Sequence, residues 1–314
     1  MEQCSCIYES QELIAHRRKS DGAKQALISH LQETSKLAEG FAAKIGLSEI
    51  GRILGLLHDF GKASDIYQGY LRSQEGLINP DQDGYVDAHR GEIDHSTAGA
   101  QLIYEKLSYS DNAKIILMQV LSLVSASHHS GLIDGLTPDG RNNFLRRITK
   151  PEEDTHFIEA RAKLAEIEKQ LDDILALAPE RVLLEKMSKM KETEGESLAT
   201  LSFKHGLLVR FLLSCLLDAD RLSTSDFETP GNRIVRSYGS YLPWTILIER
   251  LEEKFSEFDL ETASMDKNSQ AYKLNQIRAQ VAQACCDFAS EPKGIYRLTV
   301  PTAGGKTLAS LRFA

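Results

Sequence analysis

From residue 24 to residue 222 the apolar residues recur with a helical period, and strand-like alternation is almost absent before residue 290. That pattern confines most of the chain to helix-on-helix packing. Helices are expected over residues 24–45, where Leu27, His30, Leu31, Leu37, Ala38 and Phe41 fall near one face, and over 49–60, 95–107 and 112–127. Further helices are expected over the long charged stretch 155–195 and the apolar stretch 199–222. Residues 75–94 and 223–243 read as loops, and 257–270 as a polar linker. The character then changes: a helix over 271–290 leads to Gly294–Val300 (GIYRLTV), the one clear strand. The fold class is therefore mainly α, closing on a helix–strand–loop unit.

The 314 residues suffice for one large domain or two smaller ones. A formal net charge of −8 argues against gripping nucleic acid by overall charge, though not against a local basic groove or delivery by a neighbouring domain. No apolar run reads as a membrane span, and the N-terminus lacks a signal peptide's basic start and apolar core. The five cysteines form no CxxC pair and no even framework, which points to a reducing cytoplasm; Cys4 and Cys6 read as free thiols.

The chemistry gathers where helices stop. In "GLLHDFGKAS" (55–64) an apolar helical run ends in His58-Asp59, with Lys62 one turn on. His30 lies on an apolar helix face, His95 opens a helix after a loop, and His128-His129 end another before Gly131. A single histidine is ordinarily a hydrogen-bonded core or surface residue; five in such positions, with Asp218 and Asp220 closing a fourth apolar helix, suggest convergence in a bundle. Adjacent helical residues point about 100° apart, so His58 and Asp59 meet at one point only at a fraying end, or else serve two ions. Mixed imidazole and carboxylate donors suit Mn, Fe, Co, Ni or Zn better than an all-oxygen Mg site. Lys62 reads equally as a group reaching a substrate phosphate and as a solvated cation at a helix end.

The ordered set "HDFGK", "DHSTAGA" (94–100) and "SHHSGL" (127–132), with an upstream helical His and a downstream helical Asp, resembles the HD metal-dependent phosphohydrolases. It is similar, more narrowly, to the HD nuclease domain of the CRISPR-associated helicase-nuclease of type I systems, over roughly residues 24–225. The resemblance implies an HD-domain helical bundle and two divalent metals. His30, His58, Asp59 and Asp220 would hold one, with Asp218 as the fallback. Asp59, His95, His128 and His129 would hold the other, with Asp59 bridging and Lys62 assisting. His16, His89, His156 and His205 are left as ordinary residues. The resemblance further implies cleavage of single-stranded DNA opened by an RNA-guided CRISPR surveillance complex, by in-line attack of metal-activated water. The alternative is an HD-type hydrolase of dNTPs or cyclic nucleotides.

After the strand comes Pro301-Thr302-Ala303-Gly304-Gly305-Lys306-Thr307, a phosphate-binding pattern. Val300 stands where the general pattern has Gly, but the loop resembles that of superfamily 2 helicases, with Ala303 in place of Gly. Thr302, Gly304, Gly305, Lys306 and Thr307 are the candidate ATP and Mg contacts; Gln276 reads as a solvated helix residue. The expected organisation is an HD nuclease domain over 1–245, a connecting helix and linker over 246–270, and the start of a RecA-like helicase domain over 271–314. With no Walker B acid and no further strands in this sequence, ATP hydrolysis is expected only of a longer protein.

Overall fold

The computed structural model describes residues 12–74, 76–89, 91–191, 195–235, 242–292 and 296–313. Cys4 and Cys6 lie outside the described residues. The chain divides into two units, one ending at Val235 and the other beginning at Arg236.

The first unit opens with an antiparallel hairpin of β1 (Ile14–Arg17) and β2 (Lys24–Ala26), with an irregularity between Ile14 and His16. There follow α1 (Leu27–Ala43), α2 (Ser48–Leu57), a 3-10 turn (Phe60–Ala63) and α3 (Asp65–Gln74). Next come α4 (Thr97–Leu107), α5 (Asn112–Ser127), α6 (Asn143–Ile148) and α7 (Glu152–Thr155). The unit closes with α8 (Phe157–Lys163), α9 (Ala165–Leu175), α10 (Pro179–Lys189), α11 (Leu198–Glu228) and α12 (Pro230–Val235).

Helix α2 is the centre of this bundle. Ile50, Ile53, Leu54, Leu56 and Leu57 are all buried, as an all-round apolar helix must be. Helices α1, α5, α9 and α11 pack around it. The α1–α2 crossing is close because α2 presents Gly51 and Gly55, one turn apart. A Cβ on Gly51 would stand 2.3 Å from the Ala38 carbonyl oxygen, and one on Gly55 2.4 Å from Ser35 Cα. Gly99 of α4 meets the end of α2 in the same way, 2.0 Å from the Leu57 carbonyl oxygen.

Several expectations from sequence are corrected. Residues 24–26 are a strand rather than the start of a helix, because they pair with β1. The stretch 155–195 is not one helix: His156 and Ala178 adopt positive φ (48° and 57°), and Pro179 starts a new helix. Residues 223–235, read as loop, extend α11 to Glu228 and form α12. Helix α11, at 31 residues, does meet the length and apolarity of a membrane span despite its scattered charges. It packs along α1 and buries Leu208, Leu212, Leu216 and Ala219.

The second unit comprises α13 (Trp244–Ala263), α14 (Gln270–Phe288) and α15 (Lys306–Phe313) around Ala282, Cys285 and Ala309. Helix α13 covers half of the expected linker. Residues 296–300, expected as a strand, pair with no other described residue, and a strand needs a ladder partner; the expected start of that strand, 294–295, lies outside the described residues.

Candidate metal centre and phosphate loop

Asp59 sits at the junction of α2 and the 3-10 turn, and its two oxygens face two different groups. Oδ2 lies 3.4 Å from His30 Nε2, 3.2 Å from His58 Nε2 and 2.7 Å from Lys62 Nζ. Oδ1 lies 3.7, 3.3 and 3.8 Å from Nε2 of His95, His128 and His129. Asp220 joins the first group, its Oδ1 3.4 Å from His30 and 3.6 Å from His58. Asp218, two residues away, is exposed. The other six sequence-predicted donor residues thus meet around the Asp59 carboxylate.

Local structure aims the rings. His58 and His128 both occupy helix C-caps, where the last carbonyls lack helical partners. Each curls back so that Nδ1–H donates to the carbonyl three residues earlier, Gly55 at 2.9 Å and Ser125 at 2.7 Å. His95, ahead of α4, donates its Nδ1–H to the carbonyl two residues earlier, Ile93, at 3.1 Å. His30 Nδ1 meets Ser223 Oγ at 3.2 Å, and that hydroxyl donates to Glu33. Occupying Nδ1 in this way turns Nε2 toward Asp59, as in imidazoles whose other nitrogen binds a metal. Nε2 of His30 and of His58 are buried with no hydrogen-bond partner. Orphaned buried polar atoms cost free energy unless something fills the point they share. Imidazole and carboxylate donors so placed fit divalent transition ions.

The electrostatics match. Burial disfavours a charge on Asp59, yet His58 and Lys62 outweigh it and hold the carboxyl well below its usual range. Burial also opposes charge on His58, but Asp59 and Asp220 raise it to about 10. Burial lowers His128 and takes His95 down to about 3, disfavouring charge on either ring. The lysine differs from a solvated helix-end cation: Lys62 is buried and ion-pairs inward with Asp59, competing with any cation for Oδ2.

Sequence reasoning passed over residues that the structure brings here. Ring edges of His16 and His30 meet with centroids 4.8 Å apart. Gln68 clamps the hairpin, accepting from Ile14 N–H and donating to the carbonyls of Ile14 and Lys62. Gly61 lets the 3-10 turn touch the His95 backbone, where a Cβ would stand 2.6 Å from the His95 carbonyl oxygen. Paired glycines on an apolar helix were the available signal. His89, His156 and His205 are not part of the cluster.

The cluster opens through half-exposed His129 into a groove of about 710 Å³, lined by Lys62, Tyr67, Tyr70, His95, Arg147 and Lys150 among others. Arg147 and Lys150 pair with Asp94 at 3.5 and 2.6 Å.

In the second unit, Gly304, Gly305, Lys306 and Thr307 line a cavity of about 430 Å³ with Phe255, Phe258 and Arg278; Thr302 does not. Arg278 Nε donates to the Ala303 carbonyl at 2.9 Å. Positive φ at Ala303 (66°) and Gly305 (77°) turns the loop into α15, which begins at Lys306. Gln276 is exposed.

No curated protein matches the chain. A family profile described as "Cas3, HD domain" matches residues 10–206, which takes in every cluster residue except Asp220. The helical bundle, the clustered HD donors and that match together place the chain in the Cas3 HD-domain family, the metal-dependent HD-type nucleases of CRISPR systems.

Proposed function

We propose that this chain cuts single-stranded DNA at a centre of two divalent ions, His30, His58, Asp59 and Asp220 holding one and Asp59, His95, His128 and His129 the other. The observation that carries this reading is the split of Asp59: each oxygen faces its own set of imidazole nitrogens. When bound, such ions supply Lewis acidity and a nucleophile at neutral pH. The chain's own residues do the rest. Asp59 links the two halves, the Nδ1 anchors keep each ring in one tautomer, and Lys62 places a positive charge between Asp59 and the groove. Tyr67, Tyr70, Arg147 and Lys150 give the groove aromatic and cationic walls of the kind a single strand can use. That local basicity is compatible with the acidic whole chain.

We further propose the division into an HD nuclease domain (1–245), a connecting segment (246–270) and the start of a superfamily 2 helicase domain (271–314). In a longer protein the loop at 302–307 would take ATP and Mg, and the motor would feed a strand opened by an RNA-guided surveillance complex in the cytoplasm. The test is degradation of circular single-stranded DNA with Mn²⁺ or Co²⁺. Asp59→Ala should abolish it together with metal uptake, and Asp220→Ala should cripple it while Asp218→Ala does not. Inert DNA beside brisk dNTP or cyclic-nucleotide hydrolysis would refute the nuclease reading in favour of the nucleotide phosphohydrolase.

A further inference from the structure

We propose that His16 is a further ligand of the ion on the Asp59 Oδ2 side, delivered by the N-terminal hairpin; this rests on the two-ion reading above. A ligand atom of His16 lies within 4.8 Å of ligand atoms of His30, Asp59 and Asp220, all four being mutually within that distance. These donors come from β1, α1, the end of α2 and α11, so they surround a point from separate directions. The irregular register between Ile14 and His16 sets the strand at this point, with His16 opposite Gln25. Gln68 fixes the hairpin to the 3-10 turn that follows Asp59, coupling the position of His16 to that of the carboxylate. Gln25 Nε2 donates to Glu33, 3.2 Å away, which also receives the Ser223 hydroxyl that anchors His30. Gln25, the strand partner of His16, and the His30 ring therefore belong to one polar network running between the hairpin, α1 and α11.

Packing alone accounts poorly for His16. Its ring lies edge-on against His30, and its one described polar contact is a long one, Nε2 to Thr224 Oγ1 at 3.4 Å. A half-buried position beside a second imidazole and two carboxylates suits a ring that binds a shared cation.

The consequence is a division of labour. With His16 the Oδ2 side has five protein donors, three of them (His30, His58 and Asp59) fully buried. The Oδ1 side has Asp59 and three imidazoles, one of them half-exposed to the groove. The Oδ2 ion is then the tighter, architectural one, and the Oδ1 ion is the one with room for substrate.

The test is metal uptake by the full chain, stripped with a chelator and titrated with Co²⁺ while its visible absorption is recorded. Wild type should take two ions of unequal affinity. His16→Ala should weaken the tighter ion at least 10-fold, alter its absorption bands and leave the weaker ion unchanged. His16→Gln keeps a polar side chain of similar reach but is a poor ligand for these ions, so it should give the same result without emptying the site of packing atoms. Two ions bound by a folded His16→Gln protein with wild-type affinities and bands would overturn the assignment of His16 alone. Uptake of fewer than two ions by wild type would overturn the two-ion reading and this inference together.

Discussion

Gly55→Ala is the sharpest perturbation of the route from packing to chemistry. Its new Cβ would lie 2.4 Å from Ser35 Cα, 2.5 Å from Ser35 N and 2.7 Å from Thr34 C, all backbone. No side chain can swing away, so α1 and α2 must part by about 1 Å before contacts are ordinary. Overpacking costs about 1–3 kcal/mol, and the intrinsic helical gain of Ala over Gly returns at most about 1 kcal/mol. A net loss of about 1 kcal/mol follows, or roughly 2–4 °C in Tm for a unit of this size. The functional loss should be larger than the stability loss suggests. His30 is on α1, His58 follows Gly55 by three residues, and the Gly55 carbonyl anchors the His58 ring. Metal sites tolerate about 0.2 Å in ligand distance, so metal affinity should fall at least 10-fold in a protein that is still folded. Gly40→Ala is the control: it is on the exposed face of α1 with nothing within 4 Å, and should gain about 0.5–1 kcal/mol with unchanged metal binding. Thermal melts and Mn²⁺ titrations read both. A Gly55→Ala protein as stable as wild type, with wild-type metal affinity, would refute the claim that the α1–α2 approach sets the centre.

Three further outcomes follow from the electrostatics. With His58 raised to about 10, metal must displace its proton, so apparent affinity should climb up to tenfold per pH unit between pH 6 and 8; a flat profile by titration calorimetry would count against His58 as a ligand. Lys62→Met removes a cation 2.7 Å from Asp59 Oδ2 and should raise metal affinity about tenfold or more while lowering DNA cleavage; weaker metal binding in a direct titration would contradict the competition. Glu168 joins Arg161 and Lys106 at 2.8 Å each, tying α9 to α8 and α4, and Arg161, against a burial penalty, depresses its carboxyl from 4.5 to about 2. A depressed carboxylate stabilises above its unfolded pKa and ceases to as pH falls through the folded one. Glu168→Gln should therefore cost about 1 kcal/mol near neutrality, with denaturation curves of variant and wild type converging as pH drops from about 4.5 toward 2.

Helical character was readable from the chain because apolar periodicity is local. The breaks inside 155–195 were less so: Pro179 marks one, but the positive φ at His156 and the non-helical backbone at Leu164 carry no breaker residue. Over 296–300 the expected strand failed for the opposite reason: propensity was present, but these residues found no ladder partner among the described residues. The hairpin at 14–26 is short, and its pairing is a tertiary fact rather than a run of β-formers.

The sequence by itself determined which atoms are on offer: seven imidazoles and carboxylates at helix ends or on an apolar helix face, and a glycine-rich loop leading into a helix. Two of the imidazoles close the same way at C-caps, a local device that short-range geometry dictates. Only the tertiary structure decided that Asp59 divides its oxygens between two groups, that Lys62 turns inward, that Asp220 rather than Asp218 faces the cluster, and that His16 joins it. Those outcomes depend on how closely α1, α2, α4 and α11 approach. That distance is set by glycines whose missing Cβ atoms matter only once another backbone lies against them.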